Sequence, residues 1–272
     1  MTDESMAYPL AYGYCLVGKV KRCGSKVPNP DQLIGKNVFV FAAHADCVVS
    51  DVDAIQIIPD GILPEDAIFF PSVETALSLV HDAHIRLGEN SAVFGQGLIG
   101  LLVTALLSMT GGGTSVSAFD TLPDRLAASS VMGASQALFP SQASLEAAGP
   151  FDVSIEVSGN ARALQSAIDH TRSGGRVVIG SWYGSDPVEL KLGIDFHRSH
   201  KNLITSQVSE IPAALTALWN KKRRFDLTWD IVKQLKPSRT LVTRKVGLHE
   251  AQSAYELLEK GKEIAIMFQY KR

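Results

Sequence analysis

The 272-residue chain holds only three cysteines, Cys15, Cys23 and Cys47, and no CxxC pair. An odd count at such wide spacing argues against a disulfide framework and against a closed four-cysteine zinc site, and it fits a reducing compartment. A basic excess is also missing: 26 Lys and Arg face 28 Asp and Glu, a formal net charge of −2. Nothing in that balance neutralises a phosphate backbone, so nucleic acid is not an expected partner. Long hydrophobic runs are absent too. The longest, Leu98 to Met109, is too short to span a bilayer and is interrupted by Thr104 and Ser108. The opening "MTDESMAYPL" has two acids and lacks the apolar core of a signal peptide. These absences predict a soluble, cytoplasmic protein with no membrane partner.

What is present is ordinary globular composition, 46% apolar and 20% charged, in a length that accommodates one large or two modest domains. Before residue 64 no helix of useful length fits. "LVGKV" (16–20), "KNVFVFAA" (36–43) and "DCVVS" (46–50) are predicted strands, punctuated by Gly13, Gly24, Pro28, Pro30 and Gly35, and Pro59 with Asp60-Gly61 ends a further one. That pattern predicts part of a small β-barrel or sandwich. Ala76, Leu77, Leu79, Val80 and Ala83 then recur at helical spacing.

After Gly88 strand and helix alternate. Strands are predicted at 91–94, 114–119, 136–139, 151–157, 176–182 and 202–208, with helices at 98–109, 122–132, 142–148 and 160–172. Several strands are continuous Val/Ile/Phe runs, as expected where helices cover both faces of a parallel sheet. The predicted fold is α/β with a doubly wound parallel sheet. A further helix is predicted at about 210–220, leading into "KKRR" (221–224), read as a solvated helix C-terminus. The tail is predicted as a strand in "TLVTRKV" (240–246), a helix with Ala251, Ala254, Leu257 and Leu258 on one face, and a last strand in "EIAIMFQY".

Gly95-Gln96-Gly97-Leu98-Ile99-Gly100 matches GxGxxG, with a predicted strand feeding it and a predicted helix leaving it. Gly95 suits a tight turn, Gly97 a close approach of backbone to a pyrophosphate, and Gly100 close packing of helix on strand. The helix N-terminus offers unpaired N–H groups and partial positive charge to the phosphates. Asp120 stands at the end of the second strand, twenty residues beyond Gly100, where an acid accepts hydrogen bonds from ribose hydroxyls and repels a 2′-phosphate. NAD is the expected cofactor, ahead of NADP. Arg125 lies nearby, either softening that preference, stacking near the adenine or facing solvent.

A β-rich front, a GxGxxG-bearing doubly wound domain and a β-like tail together resemble the medium-chain dehydrogenase/reductase superfamily, the fold of zinc alcohol dehydrogenases. "PLAYGYCLVGKVKRCG" resembles that family's P-x-x-x-G-H-E-x-x-G-x-V-x-x-x-G strand, "GKNVFVFA" its G-D-R-V strand, "VETALSLVHDA" its helix before the nucleotide domain, and "HEAQSAYELLEKGKEIAIMF" its closing helix and strand. The resemblance implies a partial GroES-like domain at 1–72 and 238–272, and an NAD-binding Rossmann domain at 73–237. It places Val157, Ser158, Gly180 and Ser181 toward the nicotinamide half, and Ser206, Gln207 and Val208 near its carboxamide. It also implies a homodimer through the last strand of the sheet, and a small-molecule alcohol or carbonyl as substrate.

Zinc chemistry transfers poorly. Where the family has G-H-E, this chain reads Gly13-Tyr14-Cys15, and the family's early cysteine falls upstream of the first residue, so part of the barrel is expected to be lacking. Of that ligand set only Glu74 remains, whereas catalytic zinc takes three protein ligands. Cys15, Cys47, His44 and His81 match no zinc spacing, and no metal is expected. Without zinc, a hydrogen-bond donor must polarise the substrate oxygen. Tyr14 is a candidate, its alternative being a packing aromatic of the barrel, and Glu74 and His81 are candidates for proton transfer, with His44 a further one. Trp182 and Tyr183 suggest an aromatic wall for cofactor or substrate. His197, Arg198 and His200 suggest either an anion contact or an exposed basic loop. The expected activity is NAD(H)-dependent interconversion of an alcohol and a carbonyl, with a catalytically impaired nucleotide-binding sensor or subunit as the alternative.

Overall fold

Turn residues set the first elements. In the computed structural model, which describes residues 11–111, 113–185 and 187–270, β1 (Leu16–Lys19), β2 (Asn37–Val40) and β3 (Ile55–Ile57) form an antiparallel sheet in the order β1-β2-β3. Gly35, at φ +82°, closes the link from β1 to β2 by donating its N–H to the Val20 carbonyl at 2.9 Å. The strand predicted at 46–50 does not form. Val49 is wholly exposed, and a β-run without a ladder partner gains nothing over solvated chain. Pro64 then opens α1 (Pro64–Ala67) at the first helical position, where its missing N–H costs nothing, and α2 (Phe70–Asp82) follows.

Strand and helix next alternate through β4 (Asn90–Phe94), α3 (Leu98–Met109), β5 (Ser115–Phe119), α4 (Pro123–Val131), β6 (Gln136–Leu138), α5 (Gln142–Ala148), β7 (Phe151–Glu156), α6 (Ala161–His170), β8 (Thr171–Ile179), α7 (Ile194–Arg198) and β9 (Asn202–Thr205). The six strands are all parallel, in the order β6-β5-β4-β7-β8-β9. This is the doubly wound Rossmann arrangement predicted from the sequence. Helix α3 is buried from Gly100 to Leu107, which is why it reads as apolar all round. Phe94 stacks on Phe119 at 5.0 Å between ring centroids, Phe151 meets Phe119 edge-on at 5.9 Å, and Leu164 and Ile168 of α6 complete the cluster. Each such ring buries enough apolar surface to contribute about 1.5–3 kcal/mol.

The helix predicted at 210–220 is replaced by a 3₁₀ turn at Ala213–Leu215 behind Pro212, and α8 (Lys221–Leu235) starts with the basic cluster instead of ending before it. Asn220 explains the start: its side-chain oxygen accepts the Arg223 N–H at 2.8 Å, and its carbonyl accepts the Arg224 N–H at 3.1 Å. Cations at a helix N-terminus oppose the macrodipole, and here each finds an offset. Lys221 lies 5.7 Å over the Phe225 ring, Lys222 pairs with Asp226, Arg223 lies 4.2 Å over the Trp219 ring, and Arg224 is buried against Glu74. The chain ends with α9 (Ser238–Leu241), β10 (Val242–Val246), α10 (Ala251–Glu259) and β11 (Ala265–Phe268).

The chain divides into two compact units, Met1–Pro71 with Trp229–Arg272, and Ser72–Thr228. In the first, β10 and β11 pair in parallel with each other, not with the β1-β2-β3 sheet. The tail meets the front through rings: Phe39 with Trp229 at 6.4 Å, Tyr12 with Tyr255 at 6.2 Å and His44 with Phe268 at 4.9 Å. Among the described residues no helix is long and apolar enough to cross a membrane.

Candidate functional site

Strand order reverses where β4 lies beside β7, and the carboxyl ends of those strands border the crevice in which doubly wound sheets take ligands. Gly95 leaves β4 there at φ +95°, donating its N–H to the Phe119 carbonyl at 2.8 Å. A Cβ at Gly95 would stand 2.6 Å from Ser158 Cα, and one at Gly100 would stand 1.8 Å from the Gly95 oxygen. The turn, the helix and the end of β7 therefore touch backbone to backbone, which only glycine permits. Gly97 differs: a Cβ there meets nothing nearer than Arg125 Nη1, at 4.0 Å. Gly97 is the uncapped N-cap of α3, whose first turn holds Leu98, Ile99 and Gly100, so first-turn N–H groups remain available to an anion. Gln96, fully buried, pins the loop from beneath by donating to the Val93 carbonyl at 3.2 Å and accepting from Thr104 Oγ1 at 3.0 Å.

Asp120 ends β5 and is only 8% exposed. Its Oδ2 accepts the Gln96 N–H at 2.6 Å and its Oδ1 the Leu122 N–H at 2.9 Å. The carboxylate thus ties the glycine loop to the second strand while keeping lone pairs for further donors. Arg125 Nη1 lies 3.9 Å from Asp120 Oδ2, and its buried Nε finds no acceptor among the described residues.

On the other side of the switch point, Val157 donates its N–H to the Phe94 carbonyl at 2.9 Å and Gly180 to the Glu156 carbonyl at 2.9 Å. Gly180 is hemmed in by Leu79 and Val157. Ser181 Oγ accepts the Gly159 N–H at 2.8 Å. Glu156, fully buried and not singled out by sequence reading, accepts from the Ser158 N–H at 2.6 Å, the Ser158 hydroxyl at 2.5 Å and the Tyr183 phenol. Burial and then the Glu156 carboxylate push the Tyr183 phenol well above its usual range. Tyr183 is therefore a donor held in place, while Trp182 is 88% exposed. Ser206 follows β9 and donates its N–H to the Ile179 carbonyl at 3.1 Å. Gln207 is exposed and Val208 half-buried. His197, Arg198 and His200 are exposed on and after α7.

The three residues expected to act on substrate have separate surroundings. In the first unit, Tyr14 is 58% exposed and stacks on Phe41 at 6.3 Å. Nearby in the chain, His44 Nε2 lies 3.3 Å from the Tyr255 hydroxyl, burial holds the His44 imidazole below its usual range, and burial pushes the Cys15 thiol up. In the second unit, Glu74 is bonded by Arg224 Nη2 at 2.7 Å and Nε at 2.9 Å. Burial pushes the Glu74 carboxyl up against the opposing pull of that guanidinium. His81 packs edge-on against Trp219 at 4.5 Å, held below its usual range by burial and then by Arg224, Arg223 and His84. Sequence reading missed Arg224 because it took the basic cluster for a solvated end; Asn220, a cap residue directly before it, was the available signal.

Comparison with known proteins adds three likenesses and a family match. Residues 99–220 match a family described as zinc-binding dehydrogenase. D-guloside 3-dehydrogenase of Escherichia coli (strain K12) is 25% identical over 230 residues, which are 81% of this chain and 65% of that protein. The chain thus spans about two thirds of the length of that relative. Galactitol-1-phosphate dehydrogenase from Escherichia coli superposes with a TM-score of 0.78 at 17% identity, covering 97% of this chain and 86% of that one. A short chain alcohol dehydrogenase from Escherichia coli CFT073, complexed with cofactor NADH, gives a TM-score of 0.74 at 17% identity, covering 93% and 82%. At those identities the two structures speak for the fold.

Proposed function

We propose that this chain is a member of the medium-chain dehydrogenase/reductase superfamily and an oxidoreductase that binds NAD(H) and interconverts an alcohol and a carbonyl on a small molecule without catalytic zinc. The observation that carries the reading is the glycine cradle: Gly95 and Gly100 are in backbone contact while Gly97 stays open beneath an uncapped helix N-terminus. A pyrophosphate fits that backbone. Asp120 suits ribose hydroxyls and disfavours a 2′-phosphate, which argues for NAD over NADP. Arg125, with its unpartnered buried Nε, fits an acceptor on the same half of the cofactor. The fold neighbour complexed with NADH supports a nicotinamide cofactor. When bound, that cofactor supplies the hydride acceptor or donor.

The residues at the family's zinc positions do not fit the metal. A phenol replaces the imidazole at Tyr14, Glu74 is occupied by Arg224, and among the described residues no three His, Cys, Asp or Glu side chains are placed to share an ion. In this reading the Tyr14 hydroxyl donates to the substrate oxygen. The second reading, a nucleotide-binding sensor or subunit, is favoured by one observation: Glu74 and His81 are each taken up by a neighbour, Arg224 and Trp219. Absorbance at the NADH band, with small alcohols plus NAD and with aldehydes or ketones plus NADH, separates the two, with zinc content measured on the same sample. Turnover with substoichiometric zinc is expected. Nucleotide binding without turnover would favour the sensor, and stoichiometric zinc with activity lost to a chelator would overturn the metal-free mechanism.

A further inference from the structure

Of the four cations at 221–224, three are exposed and Arg224 is 1% exposed, the largest of the fully buried side chains. Besides Glu74, its guanidinium donates through Nη2 to the Val208 carbonyl at 2.6 Å, and through Nη1 to the Glu210 carbonyl at 3.0 Å and Ser78 Oγ at 3.4 Å. A buried cation requires such full pairing, and two of these acceptors lie outside helix and strand. They belong to the irregular stretch directly after β9, whose internal backbone bonding includes the Glu210 N–H to the Gln207 carbonyl at 3.2 Å. Asp82, the last residue of α2, also feels the Ser206 hydroxyl, which pulls its carboxyl down against the larger upward push of burial. The backbone at Val208 and Glu210 is thus held to Glu74 and Ser78 of α2 through Arg224.

We infer that Arg224 is a positioning residue for the nicotinamide half of the dinucleotide site, fixing the backbone after β9 without touching the cofactor. The inference rests on the nucleotide-binding reading above. In a doubly wound sheet the dinucleotide straddles the switch point. Asp120, directly after β5, and Arg125 of α4 mark the adenosine half, and the cradle takes the pyrophosphate. The other half then falls across the ends of β7, β8 and β9, bounded by Ser206 to Val208. The planar guanidinium fork meets a carboxylate and two carbonyls through three separate nitrogens, whereas the donors of a lysine ammonium radiate from one atom and do not reproduce that spacing. Displacing that backbone by about 1 Å would penalise the ring it bounds and leave the distant adenosine half unaffected.

Calorimetric titration of NADH and of ADP-ribose, which lacks the nicotinamide, into wild type and Arg224→Lys tests this. Arg224→Lys is expected to bind ADP-ribose within about twofold of wild type and NADH about tenfold more weakly, the effect of one hydrogen bond to a charged group. Equal weakening of both ligands, or no weakening of either, would overturn the inference. Asp82→Ala removes the carboxyl that feels the Ser206 hydroxyl and strands no cation, so it carries the test if Arg224→Lys does not fold. It is expected to weaken NADH selectively by about threefold, about half the free energy of the Arg224→Lys effect, and an equal change for the two ligands would again overturn the inference. A wild type that binds neither ligand would instead sink the nucleotide-binding reading itself.

Discussion

A methyl group placed at Gly97 meets nothing nearer than 4.0 Å, whereas at Gly100 it falls 1.8 Å from the Gly95 oxygen. The two glycines therefore fail differently. Gly97→Ala should leave stability within about 0.5 kcal/mol of wild type yet weaken NADH about tenfold by obstructing close approach of the phosphates. Gly100→Ala should cost about 1–3 kcal/mol through overpacking. Thermal melts and nucleotide titrations on both variants check the contrast, and unchanged NADH binding in Gly97→Ala would remove the phosphate role. For Tyr14, replacement by Phe keeps the stacking on Phe41 and deletes the donor. With Tyr14→Phe, kcat/KM is expected to fall about a hundredfold with nucleotide affinity unchanged. Equal loss of both would mean that Tyr14 only packs. At this scale the fingerprint and Asp120 were legible because spacing along the chain encodes them. Glu156 and Arg224 were not: Tyr183 lies 27 residues from Glu156, and Glu74 lies 150 from Arg224, and no local pattern announces either pairing.

At the scale of elements, α2 and the start of α8 concentrate cations around one imidazole. The ordinary value for His81 is 6.5, and burial, Arg224, Arg223 and His84 hold it lower in the folded chain. Unfolded His81 takes up a proton where the folded form does not. Its contribution is complete above about pH 6.5 and is lost as pH falls below that value. His44 is shifted in the same direction, so His81→Gln should flatten, not abolish, the fall in urea midpoint between pH 7.5 and 5.5. An unaltered slope would show that His81 titrates as it does in the unfolded chain. Elements also show where sequence reading succeeds. β4, β5 and β7 are buried along almost their whole length, polar positions included, because helices cover both faces, and α3 starts directly after Gly97. The segment at 46–50 looked like a strand because β-propensity is local while a ladder partner is not. The helix expected at 210–220 moved downstream because Pro212 and Asn220, not apolar spacing, set the boundaries.

For the molecule as a whole, the doubly wound sheet in the middle of the chain was legible in the order of parts. That the tail joins the front through Phe39, Trp229, Tyr12, Tyr255, His44 and Phe268 and not through a shared sheet was not legible, since ring contacts leave no periodic trace. The central claim is that the cradle holds a nicotinamide dinucleotide with NAD preferred. Fluorescence titration of the purified chain with NADH, with NADPH in parallel, tests it most directly. Saturable NADH binding is expected, with NADPH binding weaker by about tenfold or more, the effect of Asp120 against a 2′-phosphate. Absence of saturable binding to either nucleotide would contradict it.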